Sequence, residues 1–120
     1  MKSDQKNVEF RKRLLMFSVN TIKFLNTVPG KKEFDVIRYQ LSKSATAIGA
    51  NYEESQNTTY REFAHKVKIA LREASETKYW LRILEELAVG NADRVRQLTG
   101  EVEEIIKILG AIASKTGKHQ

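Results

Sequence analysis

Glu62 and His65 stand three residues apart in "YREFAHKVK". On a helix that spacing puts a carboxylate and an imidazole on one face. Glu-x-x-His pairs build di-metal centres in helical bundles, but two such pairs are needed, with a further glutamate from each of two other helices. The only other histidine is His119. One pair does not complete the site, so no metal is expected. Adjacent acids are the other candidate chemistry: Glu53–Glu54, Glu85–Glu86 and Glu103–Glu104. Helix neighbours point about 100° apart, so these read as solvated faces. There is no phosphate-cradling loop, no dinucleotide turn and no nucleophile–histidine–acid set. No cofactor is implied, and an enzyme is not expected.

Charge offers more. Residues 1–32 carry eight Lys or Arg against two acids, while residues 33–120 carry thirteen of each. The net charge of +6 therefore sits in the first quarter of the chain, around Arg11, Lys12 and Arg13. A second basic feature is Arg61, His65, Lys68, Arg72, Ser75, Tyr79 and Arg82, whose spacings alternate between four and three. They form one stripe opposite the apolar seam of their helix. Together these features could track a phosphate backbone, with Tyr79 available to stack on a base. The alternative is a solvated, solubilising face.

The elements that must position these groups are helices. One proline and six glycines in 120 residues leave few breaks. Phe10, Leu14, Phe17, Thr21, Phe24 and Leu25 keep helical spacing over about 7–27, with Leu15, Val19 and Ile22 widening the arc. Pro29 and Gly30 break the chain. Phe34, Ile37, Leu41, Ala45, Ile48 and Tyr52 share a face of a second helix over 32–55. Thr59 and Glu62 form a capping-box pattern before a third, 60–89, whose seam is Phe63, Val67, Ala70, Ala74, Thr77, Leu81, Leu84 and Ala88. Gly90 is its expected left-handed stop. Asn91 caps a fourth helix, 92–114, with Val95, Leu98, Val102, Ile105, Leu109 and Ile112 inward and a fraying tail after it. The expectation is an all-α, antiparallel up-down-up-down four-helix bundle forming one domain over 1–120. No run of about 18 apolar residues crosses a membrane. The N-terminus has no signal-peptide pattern, and the absence of cysteine fits a cytoplasmic protein.

The stretch "SATAIGANYEES" is unusual for a helix core. Ser44, Ala45, Ala47, Gly49 and Ala50 are all small, which suits close backbone approach, here expected against Ala70 and Ala74 of the third helix. Asn51 and Glu54 lie on one face near a helix C-terminus, where a carboxylate opposes the dipole. Glu54 is therefore expected to hold a cation of another helix or subunit. Tyr79, Trp80, Ile83 and Leu87 spread the apolar surface of the third helix beyond one seam, as an oligomer interface would.

These residues carry a resemblance. Gln40, Leu41, Ser44, Ala45, Ile48, Ala50, Asn51 and Glu54, followed by Phe63, Lys66, Glu73, Ala74, Glu76, Thr77, Tyr79, Trp80 and Leu81, resemble the pattern of the 23S ribosomal RNA intervening-sequence proteins of bacteria. The similarity spans about residues 38–87. Ser55 departs from it, where alanine or glycine is more usual. The resemblance implies a four-helix bundle, a homopentamer and a non-enzymatic role. It also implies kinship with an accessory protein of diversity-generating retroelements that binds nucleic acid and a reverse transcriptase through a basic surface.

Two functional readings follow. One is an oligomeric accessory protein that binds RNA or DNA through Arg11, Lys12, Arg13, Arg61, Lys68, Arg72 and Arg82. The other is an assembly module that binds only protein. The close-packed seam generates a test of the fold itself. Ala74→Leu should overpack it and cost about 1–3 kcal/mol, read as a lower melting temperature; unchanged melting and native mass would contradict the seam.

Overall fold

The computed structural model describes residues 2–117. His119 lies outside them. Four helices follow in order: α1 (Lys2–Leu25), α2 (Lys32–Ser55), α3 (Tyr60–Leu87) and α4 (Ala92–Gly117). α1 packs on α2, α2 on α3, α3 on α4 and α4 back on α1, and among the described residues the backbones of diagonal helices do not approach closely. This is the all-α, up-down-up-down bundle, about 46 Å long. The α2–α3 contact is the most extensive and the α1–α4 contact the thinnest.

The core follows the helical periodicity. Phe10, Leu14, Phe17, Phe24 and Leu25 of α1 meet Leu41, Ala45, Ile48 and Tyr52 of α2, Val67, Ala70, Ala74, Leu81 and Leu84 of α3, and Val95, Leu98, Val102, Ile105 and Leu109 of α4 in one cluster. Phe34, Ile37, Phe63 and Ile112 pack on it while half-buried. The wide arc of α1 is not all core. Leu15 and Ile22 lie outside it, exposed.

The small residues of α2 divide between two neighbours. Ser44 and Thr77 of α3 join their hydroxyls at 2.8 Å in the buried seam. Gly49 faces α1 instead of α3: a Cβ there would lie 3.4 Å from Leu14 Cβ. Beside it, Ser18 of α1 donates to the Ala45 carbonyl at 3.2 Å. The α2 positions turn by about 100° per residue. A contiguous small stretch therefore cannot present all its members to one partner.

The ends of the helices are specified locally. The threonine half of the capping box forms, with Glu62 N–H donating to Thr59 Oγ1 at 3.2 Å. Asn91 Oδ1 accepts from Arg94 N–H at 3.0 Å and caps α4. Arg38 clamps the end of α1 by donating to the carbonyls of Leu25 and Pro29, each at 2.8 Å. A cation there also suits the negative end of the helix dipole. α4 runs to Gly117, so residues 115–117 continue the helix where a frayed tail is expected.

The end of α3 corrects the sequence reading. Ala88 is not helical; it takes the left-handed conformation at φ 55 and ψ 41. Val89 N–H donates to the Leu84 carbonyl at 3.2 Å and Ala88 N–H to the Glu85 carbonyl at 3.0 Å. That is a Schellman stop with alanine in the glycine position. Gly90 is required for a different reason. It has φ +78, and a Cβ there would fall 2.9 Å from Phe24 Cε1 and 3.1 Å from Thr27 Oγ1. The close approach lets Asn91 N–H donate to Thr27 Oγ1 at 2.9 Å, tying the α3–α4 loop to the α1–α2 loop.

A left-handed L-residue costs about 1–2 kcal/mol, and glycine returns part of that through its freer unfolded chain. Ala88→Gly should therefore stabilise the protein by about 0.5–1 kcal/mol, raising the melting temperature by a few degrees. Gly90→Ala should lower it. Thermal melts of the two variants check the assignment, and equal effects at both positions would contradict it.

Candidate nucleic-acid interface

Every exposed cation in a bundle has a choice between a carboxylate of its own chain and a partner outside. The structure separates the basic residues on that ground. Arg11 of α1 donates from Nε and Nη2 to the two carboxylate oxygens of Glu53 of α2, each at 2.8 Å. Arg13 does the same to Glu101 of α4, at 2.7 Å for both bonds. Such paired, parallel bonds are the strongest geometry available to a guanidinium. The hydrogen bond to Glu53 raises the Arg11 pKa, and the Arg11 bond lowers that of Glu53. Lys12, between them in sequence, is exposed and forms no ion pair with a described residue.

The α3 stripe is different. Arg61, His65, Lys68, Arg72, Ser75, Tyr79 and Arg82 are all exposed. None of its four cations forms an ion pair or a side-chain hydrogen bond with another described residue. At about 1.5 Å per residue, Arg61 and Arg82 stand about 30 Å apart along the helix. Tyr79 is 62% exposed at the far end of this line and packs edge-on against Trp80, with ring centroids 5.5 Å apart.

Among the polar residues of α2 and α3, the Ser44–Thr77 and Glu54–Lys66 pairs join the two helices, while Asn51 and Glu76 bond within their own. Glu54 Oε2 lies 2.6 Å from Lys66 Nζ of α3. Asn51 donates to the Ala47 carbonyl of its own helix at 2.8 Å. Glu76 accepts a bond from Trp80 Nε1 at 3.3 Å. Gln40 and Glu73 are half-buried. The Glu73 carboxyl is raised above the ordinary range, first by burial and then by the charge of Glu76, against the opposing influence of Lys43 and Arg72.

Adjacent acids do more than the sequence suggests. Glu53 reaches Arg11 of α1 and Glu54 reaches Lys66 of α3. Their divergence is what lets one pair grip two neighbours. At 3.6 Å, Glu103 pairs with Lys78 of α3, while Glu104 pairs at 3.7 Å with Lys107 of its own helix. A sequence signal existed for Glu53, since α1 is rich in cations and short of acids, but the facing register of α1 and α2 is not encoded in spacing. Among the described residues, no cluster of three or more His, Asp or Glu is placed to hold a metal ion. No helix among them is long and apolar enough to cross a membrane.

The expected oligomer residues divide by exposure. Tyr79 and Leu87 are exposed, whereas Trp80 and Ile83 are half-buried. α2 adds Val36 and Tyr39, 62% and 63% exposed, which the sequence reading did not single out. On α1, Val8, Leu15 and Ile22 recur every seven residues and are exposed, so they form a separate stripe.

Glu73 gives a pH-dependent test. Its folded pKa is raised, so it favours the folded state below the ordinary carboxylate pKa, and that contribution is lost as pH rises through the folded value. At neutral pH the half-buried charge is a burden. Glu73→Gln should raise the melting temperature at pH 7, and the advantage should vanish in acid, where wild-type Glu73 is protonated. Parallel melts across pH 3–8 check the sign.

Comparison with known proteins fits this geometry. Among curated proteins no match was found. The chain is similar to a crystal structure from Bacteroides thetaiotaomicron VPI-5482, a protein of unknown function from the S23 ribosomal protein family. The two are 30% identical with a TM-score of 0.77, over 86% of this chain and 96% of that one. The model of the 23S rRNA-intervening sequence protein family matches residues 6–111, nearly the whole bundle, and the chain belongs to that family.

Proposed function

We propose that this protein is a non-enzymatic, homopentameric accessory protein that binds RNA or DNA along α3. The observation that carries the reading is the contrast between its basic surfaces. Arg11 and Arg13 are held by Glu53 and Glu101. Arg61, Lys68, Arg72 and Arg82 are exposed on one line with no described acid paired to them. An exposed line of unpaired cations gains most from phosphates, because binding releases the counterions condensed on the nucleic acid. Tyr79 adds a ring on which a base can stack.

Two apolar faces support assembly. One gathers the exposed Val36 and Tyr39 of α2 with Leu87 of α3; the other is the α1 stripe of Val8, Leu15 and Ile22. Two different faces on one protomer suit a head-to-tail contact, and such contacts close into rings when the rotation permits. The same faces favour the second reading, an assembly module with no affinity for nucleic acid.

The test must spare the bundle. Reversing Arg11, Lys12 and Arg13 together would set Glu against Glu53 and Glu101, so lost binding could reflect lost folding. Lys68→Glu with Arg72→Glu leaves those pairs intact. Native mass measurement should give a pentamer, and filter binding to structured RNA and to duplex DNA should fall with salt. Four phosphate contacts predict a slope of log K against log salt between about −3 and −4. The double variant should weaken binding on the order of tenfold or more and flatten the slope by about two. A pentamer that retains no nucleic acid near physiological salt would instead establish the assembly module.

A further inference from the structure

The thin α1–α4 contact leaves a groove of about 500 Å³, lined by Arg13, Met16, Phe17, Asn20 and Lys23 of α1 and Arg94, Gln97, Leu98 and Glu101 of α4. Phe17 and Leu98 are buried and form its floor, with Met16 exposed beside them. The rim is polar. Asn20, Lys23, Arg94 and Gln97 are exposed, and no described residue takes a side-chain hydrogen bond or ion pair from any of them.

The charge of this rim is uncompensated for a traceable reason. Glu101 is the one acid lining the groove, and both its oxygens are held by Arg13. Asp93, beside Arg94 in the chain, is paired with Arg96 at 2.6 Å. Lys23 and Arg94 are thus two cations with every nearby carboxylate engaged elsewhere. Arg94 also sits in the first turn of α4, where a cation opposes the positive end of the helix dipole. An anion bound beside it would reverse that penalty. The amides of Asn20 and Gln97 supply neutral donors and acceptors next to the charges, and the floor supplies an apolar surface for a flat body. The volume lies within the range of small-molecule sites.

We propose that the α1–α4 groove binds a phosphomonoester carried on a planar, partly apolar body, with the phosphate between Lys23 and Arg94 and the body over Phe17 and Leu98. A free nucleoside monophosphate and the 5′-phosphorylated end of a strand both present this chemistry. The site lies on different helices from the α3 stripe, so it stands or falls independently of the nucleic-acid reading.

The test is an amide and side-chain NMR titration of the intact protein with adenosine 5′-monophosphate, adenosine, inorganic phosphate, and a short oligonucleotide with and without its 5′-phosphate. Shifts should centre on Asn20, Lys23, Arg94 and Gln97 with the monophosphate and be absent with adenosine. Lys23→Gln with Arg94→Gln should weaken binding at least tenfold, and Lys68→Glu with Arg72→Glu should leave it unchanged. The exchanged side chains make no bonds within the described fold, and an unchanged melting temperature confirms that the variant is folded. Preference for the free monophosphate identifies a small-molecule site; preference for the phosphorylated oligonucleotide identifies a strand-end site. No shifts at millimolar ligand, shifts that survive the double variant, or equal affinity for inorganic phosphate would each overturn the proposal.

Discussion

The meeting of α2 and α3 is the constraint on which the rest of the molecule depends. A hydroxyl on Ser44 can reach a hydroxyl on Thr77 at 2.8 Å only if the two backbones run close together, because each oxygen stands one bond beyond its Cβ. Ala70 and Ala74 are wholly buried in the same core and put only a methyl group between the helices. The outer helices then have fixed places. Ser18 of α1 can reach the Ala45 carbonyl, and Leu14 can lie against Gly49. α4 closes the ring from the other side, through Val102, Ile105 and Leu109. The bundle is therefore built outward from α2–α3, and α1–α4 is where it closes least tightly.

That geometry decides what the charges do. α1 is flanked by Glu53 on one side and Glu101 on the other, and its two arginines reach opposite neighbours. These pairs are partly exposed, so each contributes little to stability. Their larger consequence is to remove Arg11 and Arg13 from the pool of cations open to a partner. The outward face of α3 has the opposite arrangement. Arg61, Lys68, Arg72 and Arg82 are exposed there and form no ion pair with a described residue.

Much of this was legible in the sequence. Periodicities of three and four gave the four helices and nearly every buried side chain, because a bundle core is a direct projection of apolar spacing. Asn91 and Thr59 announced two helix starts through their side-chain chemistry. Ala88 could not be read, since alanine carries no signal for a left-handed turn and Gly90, two residues on, carries a strong one. The partners of Gly49 and Glu53 were also hidden. Which helix faces which is a property of packing, and one-dimensional spacing holds no record of it. The groove around Lys23 and Arg94 was invisible for the same reason: its two halves lie about seventy residues apart, on segments that look like ordinary solvated surface.

The residues that identify the family show how far family membership reaches toward function. Ser44, Ala74 and Thr77 build the α2–α3 seam, and Glu54 and Lys66 tie its edge. Asn51 is satisfied by its own helix. A motif made of such residues conveys the fold, and an activity must be argued from surfaces the motif does not use. Two motif residues stand outside this account. Gln40 and Glu73 are half-buried, and neither has a side-chain hydrogen bond to another described residue. A carboxylate held partly from water, with no hydrogen bond and only the charges of Lys43 and Arg72 set against its burial, is a net cost to the protomer at neutral pH, and the motif keeps it for a reason other than the stability of this fold.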